Sequence, residues 1–245
     1  MEKVTNNPIV FQTWKTNTFH KKIEKLREKM IKENSEFQFK LYSNEEMNNS
    51  VEEYFDKEII ISYFKLNHYA ARADFWRYLI LHKYGGVYLD IDSLILKDLT
   101  PIFSKNKSML TLEPNKTNFI QWILMFKKDD EVLQHCIELI VENINKNKFK
   151  NNIMELTGPK LFTKAVKEVL ELDKKLKKID ISNKKILNKI NTLNYFYFPN
   201  NQHDEYFLFK HKYNHLLRDR KKAFLRFYKA DLQHWSQYQK VKSIY

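Results

Sequence analysis

The order of apolar and amphipathic segments predicts an α/β fold, a sandwich whose central strands are at least partly parallel. Residues 6–14 read as a turn followed by a short apolar strand, and residues 37–43 alternate apolar and polar side chains, as a second strand does. Between them, residues 19–34 place apolar side chains at helical spacing: Phe19, Ile23, Leu26, Met30 and Ile31. This strand, helix, strand order favours parallel pairing, because the helix supplies the crossover connection.

The clearest helix is predicted over residues 67–86, where Asn67 can cap the start and Gly85 or Gly86 can end it. One stripe of this helix consists of Ala71, Phe75, Tyr78, Leu79 and His82. A short apolar strand follows the glycine pair directly. The alternation of helices and strands therefore continues past the first two strands.

The remaining segments extend the same pattern. We expect a loop at 98–103, a strand at 108–114, a strongly apolar segment at 118–126, a helix at 131–146, a Thr-Gly-Pro turn feeding a helix at 157–170, and an aromatic strand at 194–201 that ends at Pro199. No internal repeat and no strong linker divides the chain.

Length and composition favour one domain over residues 1–245, with a lysine-rich exposed excursion at 173–191. Hydrophobic residues make up 43% and aromatic residues 15%, which is too much for a disordered chain. The single cysteine, Cys136, excludes an internal disulfide. The sequence offers no apolar signal segment and no transmembrane segment, so we expect a cytoplasmic protein.

The formal net charge of +13 suggests an anionic partner: nucleic acid, an anionic membrane or a phosphorylated substrate. An alternative is codon bias, because lysine, asparagine and isoleucine are used heavily throughout. A nucleic-acid-binding protein would concentrate its basic residues in a recognisable module, and no zinc-finger or RNP-type pattern is present. The charge therefore leaves both interpretations open.

Two aspartates, Asp90 and Asp92, follow the glycine pair within "GGVYLDIDSLIL", residues 85–96. We predict that the strand runs through them, so that alternation puts both carboxylates on one face, roughly 7 Å apart. Like charges at that distance repel unless they are solvated or share a cation, and carboxylate oxygens suit a hard divalent ion. The pair is either a metal site or an ordinary solvated strand face.

On the preceding helix, Asp74 and Arg77 lie three residues apart and so share a face. They form either a surface ion pair worth a few tenths of a kcal/mol or part of a functional site.

A phosphatase of the haloacid dehalogenase (HAD) type is an alternative reading, because such enzymes use an aspartate pair after an apolar strand beside magnesium. Asp129 and Asp130 would then be the later acidic pair. Against it, that motif normally opens the domain, whereas here a long helix precedes it. Phosphate-binding glycine loops, HExxH, GxSxG and CxxC motifs are all missing from the sequence, and Cys136 lies in an apolar helical pattern typical of a core residue.

Residues 69–93, "YAARADFWRYLILHKYGGVYLDIDS", resemble the DXD-containing sugar transferases of glycosyltransferase family 32. That family includes yeast-type α-mannosyltransferases and capsular polysaccharide transferases, and the glucosylating clostridial toxins share its core. The agreement covers Ala-Ala-x-x-Asp, Arg, Tyr-Gly-Gly and Asp-x-Asp in the family's order. Weaker agreements are "VFQTW", "LTGP", "YFYFP" and "HW", which extend the resemblance over residues 8–235.

The resemblance implies a GT-A fold, a Rossmann-like sandwich with a central mostly parallel sheet. It also implies a nucleotide-sugar donor, UDP-sugar favoured over GDP-sugar, Mn²⁺ or Mg²⁺ as cofactor, and transfer of a hexose with retention at the anomeric carbon. The acceptor would be a glycan, lipid or protein hydroxyl, as in polysaccharide biosynthesis. If the basic surface is functional, it favours peripheral contact with an anionic membrane rather than nucleic acid.

The same resemblance assigns roles to six residues and places a seventh, Trp235, among the donor-binding residues. Asp92 would be the direct metal ligand, and Asp90 would contact the ribose or, through water, the metal. His234 would complete the metal or phosphate shell, and Asp74 and Arg77 would bind ribose or donor-sugar hydroxyls. Trp14 would stack on the base. Many relatives continue from His-Trp to a Ser-Trp, but this chain has Tyr238 and Gln239 there, so the role of Trp235 in closing over the donor stays open.

Three alternatives to the transferase remain: a HAD-like magnesium-dependent phosphatase, a basic nucleic-acid-binding protein and a noncatalytic sugar-binding relative. The first would release phosphate without needing a nucleotide sugar, and the second would bind with a steep salt dependence and no metal dependence. Intact acids at Asp90 and Asp92 argue against the third.

Overall fold

The structure, a computed structural model, describes residues 7–18, 21–208 and 243–245. Its strands are β1 Ile9–Thr13, β2 Gln38–Tyr42, β3 Gly86–Leu89, β4 Leu94–Ile95, β5 Ser108–Leu110, β6 Ile123–Phe126, β7 Tyr195–Tyr197 and β8 Phe207–Leu208. Its helices are α1 Lys21–Glu33, α2 Asn44–Tyr54, α3 Lys57–Lys65, α4 Tyr69–Tyr84, α5 Thr100–Phe103, α6 Glu131–Asn145, α7 Ile153–Leu156, α8 Pro159–Val169, α9 Lys184–Thr192 and α10 Asn200–Tyr206.

A four-stranded sheet in the order β2-β1-β3-β6 lies at the centre, which confirms the predicted α/β fold with a mostly parallel sheet. Strand β1 pairs in parallel with β2 and with β3, whereas β6 runs antiparallel to β3. Two short two-stranded sheets, β4 with β8 and β5 with β7, lie outside it.

Side chains alternate between the two faces of the central sheet. Both faces are buried, each against a different apolar cluster. Phe11, Tyr88 and Phe126 belong to the larger apolar cluster, which contains the buried residues of α4, α6 and α8. Val10 and Val87 belong to the second cluster. The result is the layered sandwich that the sequence predicts.

Helix α4 confirms the predicted central helix, with one correction at its start. His68, not Asn67, is the N-cap: its Nδ1 accepts a hydrogen bond of 3.0 Å from the backbone N–H of Ala70. The glycine pair ends the helix as predicted, with φ of +67° at Gly85 and +102° at Gly86. A Cβ at Gly86 would lie 2.5 Å from the carbonyl oxygen of Ile9, so only glycine lets β3 approach β1.

Helices α2 and α3 occupy residues that the sequence analysis left unassigned. The start of α2 carries a capping box, in which Ser43 Oγ accepts from the Glu46 N–H and the Glu46 carboxylate accepts from the Ser43 N–H. Asp56 caps α3 through a 3.0 Å hydrogen bond from the N–H of Ile59. The Ser-x-x-Glu pattern at residues 43–46 and Asp56 before α3 are helix-start signals that the sequence contains.

The prediction of a loop at 98–103 is wrong for its last four residues, which form the short helix α5. Pro101 lies in the first turn of that helix, where its fixed φ suits helical geometry.

The lysine-rich segment 173–191 exposes six of its lysines to solvent: Lys174, Lys175, Lys177, Lys178, Lys184 and Lys185. Three isoleucines, Ile179, Ile186 and Ile190, are buried in the larger apolar cluster.

Within the described ranges, no helix combines the length and the apolar character that crossing a membrane would need.

Candidate functional site

The carboxyl ends of the three parallel strands meet at one edge of the central sheet. Trp14 follows β1 at this edge, and Asp90 follows β3. Continuing the β1–β3 register from Phe11 opposite Tyr88 puts Thr13 opposite Asp90. Ligands of open α/β sheets bind at this edge.

The two aspartates do not lie on one strand, so the prediction that strand alternation brings both carboxylates to one face is wrong. Strand β3 ends at Leu89, and the Asp90 N–H donates to the carbonyl of Trp122 at 2.8 Å. The Ser93 N–H then donates to the Asp90 carbonyl at 2.9 Å and closes a turn that contains Asp92. Asp90 and Asp92 are both partly exposed.

Asp74 and Arg77 form a buried ion pair, which corrects the alternative of a surface pair. Arg77 Nη2 lies 2.9 Å from Asp74 Oδ1, and the two residues are 5% and 7% exposed. Breaking a buried pair of this kind is strongly destabilising, because one charge is left without compensation.

Arg77 joins this buried pair to the first acid of the Asp-x-Asp motif. Its Nη2 lies 3.3 Å from Asp90 Oδ1, and its Nη1 donates to the carbonyl of Gln121 at 2.7 Å. The guanidinium also lies 4.4 Å from the ring centroid of Tyr88, whose hydroxyl donates to Asp90 Oδ1 at 2.8 Å. Asp90 Oδ1 therefore accepts one hydrogen bond and forms one ion pair within the protein.

Two further side chains donate hydrogen bonds to the Asp74 carboxylate. Thr157 Oγ1 donates to Asp74 Oδ2 at 3.1 Å, and Gln121 Nε2 donates to Oδ1 at 3.2 Å. The Tyr78 hydroxyl lies 2.6 Å from Gln121 Oε1 and 3.0 Å from the carbonyl of Thr157.

Sequence reasoning missed Tyr78, Gln121 and Thr157 as members of the site. It placed Tyr78 in an apolar stripe, Gln121 inside an apolar segment and Thr157 in a turn. A polar residue within an apolar run was the available signal for Gln121. Partners this far apart in sequence have no local signature.

The charge states of the buried pair follow from its surroundings. Burial raises the pKa of Asp74 to about 7, and Arg77, Thr157 and Gln121 each act against that rise. Burial acts to lower the pKa of Arg77, but Tyr88, Asp90 and Asp74 together raise that pKa by more. Arg77 therefore stays charged.

The donor atoms at the edge fit a hard divalent cation. Across residues 7–18, 21–208 and 243–245, no three histidine, cysteine, aspartate or glutamate side chains are grouped to hold a metal. Mg²⁺ and similar ions usually take one or two carboxylates and complete their shell with water and substrate phosphates. Asp90 and Asp92 are the two carboxylates that could supply that partial set.

The other proposed site residues are only partly placed. Trp14 is half-buried at the carboxyl edge, and its backbone N–H donates to the carbonyl of Tyr42 at 3.0 Å. His234 and Trp235 lie outside the described residues.

The later acidic pair of the phosphatase alternative does not join this site. Asp129 and Asp130 follow β6, which runs antiparallel to β3, so they lie beyond the opposite end of the strand pair from Asp90. Asp130 caps α6 and accepts hydrogen bonds from Ser108 Oγ and the Tyr195 hydroxyl. Its carboxylate is therefore held by structural partners.

Comparisons with known proteins match the part of the chain that carries the Asp-x-Asp motif. Residues 10–109, which include β1, α4, β3 and both motif acids, match the family described as "Glycosyltransferase sugar-binding region containing DXD motif". Gln121 and Thr157 lie outside the matched residues.

Two relatives cover about two thirds of this chain. An uncharacterised glycosyltransferase of Acanthamoeba polyphaga mimivirus is 26% identical over 164 residues, which are 65% of this chain and 64% of that protein. The initiation-specific alpha-1,6-mannosyltransferase of Candida albicans is 26% identical over 201 residues, which are 66% of this chain and 52% of that protein. The chain thus spans between half and two thirds of these curated relatives.

A solved structure, the PaToxG glycosyltransferase, shares the fold. It superposes with a TM-score of 0.57 at 20% identity and covers 76% of this chain and 75% of its own. The matched region, the relatives and the fold agree with the resemblance seen in the sequence. Through its residues 10–109, the chain is similar to glycosyltransferases that carry a DXD-containing sugar-binding region.

Proposed function

We propose that this chain is a retaining glycosyltransferase that moves a hexose from a nucleotide-diphosphate sugar to a hydroxyl group of a glycan, lipid or protein. The observation that carries the proposal is the position of Asp90 and Asp92: both are partly exposed at the carboxyl edge of the sheet, and both lie within the residues matched to the DXD family. We favour UDP-sugars over GDP-sugars as donors.

In the reaction, the bond between the anomeric carbon and the donor's diphosphate breaks while the acceptor oxygen bonds to that carbon. The departing phosphate oxygen takes the acceptor's proton, so the protein need supply no base. Bound Mn²⁺ or Mg²⁺ would stabilise the negative charge that develops on the diphosphate. Asp92 would hold the metal directly, and Asp90 would contact the ribose or reach the metal through water.

The surroundings of Asp90 support this division of roles. Its Oδ1 already accepts from the Tyr88 hydroxyl at 2.8 Å and lies 3.3 Å from Arg77 Nη2. Both groups compete with a cation for Asp90 Oδ1, as expected if Asp90 reaches the metal only through water.

Donor binding would draw on further residues at the same edge. We propose that Trp14 stacks on the base and that Asp74 and Arg77 bind ribose or sugar hydroxyls. His234 and Trp235 would complete the metal or phosphate shell and cover the donor; their roles rest on the sequence resemblance.

A screen of UDP- and GDP-sugars for hydrolysis and thermal stabilisation, with and without Mn²⁺, tests the proposal. We expect a donor that is hydrolysed only with metal, and Asp92→Asn should lose that turnover by at least about a hundredfold. Asp129→Asn is the matched control, since it removes one exposed carboxylate beyond the opposite end of the β3–β6 pair. If no donor is hydrolysed or stabilises the protein, the proposal fails.

The same variants separate the phosphatase alternative. A phosphatase would hydrolyse a simple phosphate ester such as p-nitrophenyl phosphate without a nucleotide sugar. It would also lose activity in Asp129→Asn if the later acidic pair took part. A transferase should show neither behaviour.

We also propose that the exposed lysines of 173–191 contact an anionic membrane or a lipid-linked acceptor. Six exposed lysines on that segment and a net charge of +13 support this. Cosedimentation with vesicles tests it: equal binding to neutral and anionic vesicles would exclude it. The cytoplasmic location expected from the sequence stays a prediction.

A further inference from the structure

Thr157 lies in the Thr-Gly-Pro turn between α7 and α8 and is fully buried. Its hydroxyl reaches Asp74 Oδ2 at 3.1 Å across 83 residues of sequence. Its carbonyl lies 3.0 Å from the Tyr78 hydroxyl, one helical position beyond Arg77. The turn therefore contacts α4 at the point where α4 carries the buried ion pair.

The hydroxyl of Thr157 is the hydrogen-bond donor to the second oxygen of the Asp74 carboxylate, and it also lies 3.5 Å from the carbonyl of Ile153. Oδ1 is shared by Arg77 Nη2 at 2.9 Å and Gln121 Nε2 at 3.2 Å, and Oδ2 takes the hydrogen bond from Thr157. The terminal torsion of an aspartate has a broad preference, so its orientation depends on such partners. Without the donor at Oδ2, the carboxylate can turn about this torsion.

The orientation of Asp74 bears on Asp90 through Arg77. One nitrogen of the guanidinium, Nη2, lies 2.9 Å from Asp74 and 3.3 Å from Asp90. If Asp74 turns away, that nitrogen is drawn toward Asp90 and neutralises its charge more fully. Asp90 would then contribute less to binding a cation or a donor hydroxyl.

The turn that carries Thr157 is closely packed. The backbone N–H groups of Thr157 and Gly158 both donate to the carbonyl of Ile153, at 3.1 and 2.8 Å. A Cβ at Gly158 would lie 2.9 Å from that carbonyl oxygen and from the Cα of Met154. The backbone that carries the Thr157 side chain is thus held in place.

We propose that Thr157 is a positioning residue for the donor site: its hydroxyl orients Asp74, and Asp74 holds Arg77 at the distance from Asp90 that donor binding and transfer require. This inference rests on the proposed function. It adds a residue outside the matched residues 10–109 to the machinery of the site.

The test compares three variants. Thr157→Val removes the hydroxyl and keeps the shape, and Thr157→Ser restores a hydroxyl. Thr163→Val is the matched control, because Thr163 is 5% exposed and its Oγ1 accepts from the Phe119 N–H at 2.8 Å, away from Asp74. Urea unfolding of all three measures the purely structural loss.

Two functional readouts follow: kcat and KM for the donor found in the screen, and the Kd of UDP, with GDP in parallel, measured calorimetrically in the presence of Mn²⁺. Loss of a residue that orients a ligand-binding group typically costs about ten- to a hundredfold. We expect that loss in kcat/KM or in Kd for Thr157→Val, recovery in Thr157→Ser, and values within about twofold of wild type for Thr163→Val.

The outcomes separate the two proposals. If wild type binds and turns over a donor, but Thr157→Val matches Thr163→Val in kcat, KM, Kd and stability, Thr157 has a structural role only and this inference is overturned. If wild type neither turns over a donor nor binds either nucleotide with Mn²⁺, the proposed function fails and this inference fails with it.

Discussion

Replacing Arg77 with methionine removes the cation that two carboxylates share. The Arg77 side chain is 6% exposed and that of Asp74 is 10% exposed, so water does not replace the lost partner. The substitution keeps the apolar stem and leaves Asp74 facing the acid at Asp90.

The loss of stability can be estimated from the contacts. Removing one member of a buried pair costs about 3–5 kcal/mol, because the other charge stays buried. Arg77 also gives up its 2.7 Å hydrogen bond to the carbonyl of Gln121. Protonation of Asp74 limits the total, since a neutral carboxyl is cheaper to bury. We expect the free energy of unfolding to fall by about 3–5 kcal/mol near neutral pH.

The pH dependence has a definite sign. Burial raises the pKa of Asp74 above its unfolded value, and Arg77 opposes that rise. In Arg77→Met the pKa of Asp74 rises further, so the folded state holds its proton to higher pH than the unfolded chain does. Stability that is fully present below the unfolded pKa is then lost as pH rises toward the folded pKa. The deficit relative to wild type should grow from acid to neutral pH.

Urea unfolding at several pH values measures this deficit. Arg72→Met is the matched control on the same helix, because Arg72 packs on the rings of Tyr63, Phe64 and Tyr69 and donates to the carbonyl of Leu66. The reasoning is refuted if Arg77→Met costs less than about 1 kcal/mol, or if its deficit does not change with pH. Adding Asp74→Leu to Arg77→Met should restore part of the lost stability.

Four further predictions concern stability and reactivity. Gly86→Ala should cost about 2–4 kcal/mol in urea unfolding, because its Cβ would lie 2.5 Å from the Ile9 carbonyl at a φ of +102°; a cost below about 1 kcal/mol would contradict this. Ser43→Ala should cost about 1 kcal/mol at neutral pH. The pKa of Glu46 is lowered mainly by its hydrogen bond from the Ser43 backbone, so the Glu46 carboxylate contributes stability above its unfolded pKa. Glu46→Gln should therefore be less stable than wild type at neutral pH in urea unfolding. That difference should shrink as pH falls through the folded pKa of Glu46. Burial raises the pKa of Cys136 well above its usual value, so a thiol reagent should modify Cys136 at the rate of global unfolding, and rapid labelling of the folded protein would refute this.

The sequence was sufficient to predict the central helix and the mostly parallel sheet, because their signals are local. The stripe on α4 and the glycines that end it are set by helical spacing and by positive φ. Strand alternation failed at Asp92 because the strand ends earlier. The backbone hydrogen bond from Asp90 to Trp122 is followed by a turn, and residues rich in aspartate and serine favour turns over continued pairing.

The environment of the site could not be derived in the same way. Asp74 and Arg77 were identified by their spacing, but their burial depends on Gln121 and Thr157, which reach them across 44 and 83 residues. No local propensity or periodicity specifies such contacts, and the apolar run around Gln121 concealed its role. A surface pair and a buried pair look alike in a helix sequence.

The buried contacts around Asp74 also bear on when the site forms. A contact that spans 83 residues requires closure of a long loop, which slows folding relative to helices and hairpins. During synthesis, α4 and β3 emerge well before Thr157. Until Thr157 has been made, Asp74 lacks the hydrogen bond from its hydroxyl. The nucleotide binding that we propose should therefore be gained late in folding, and it would serve as a stringent measure of refolded material.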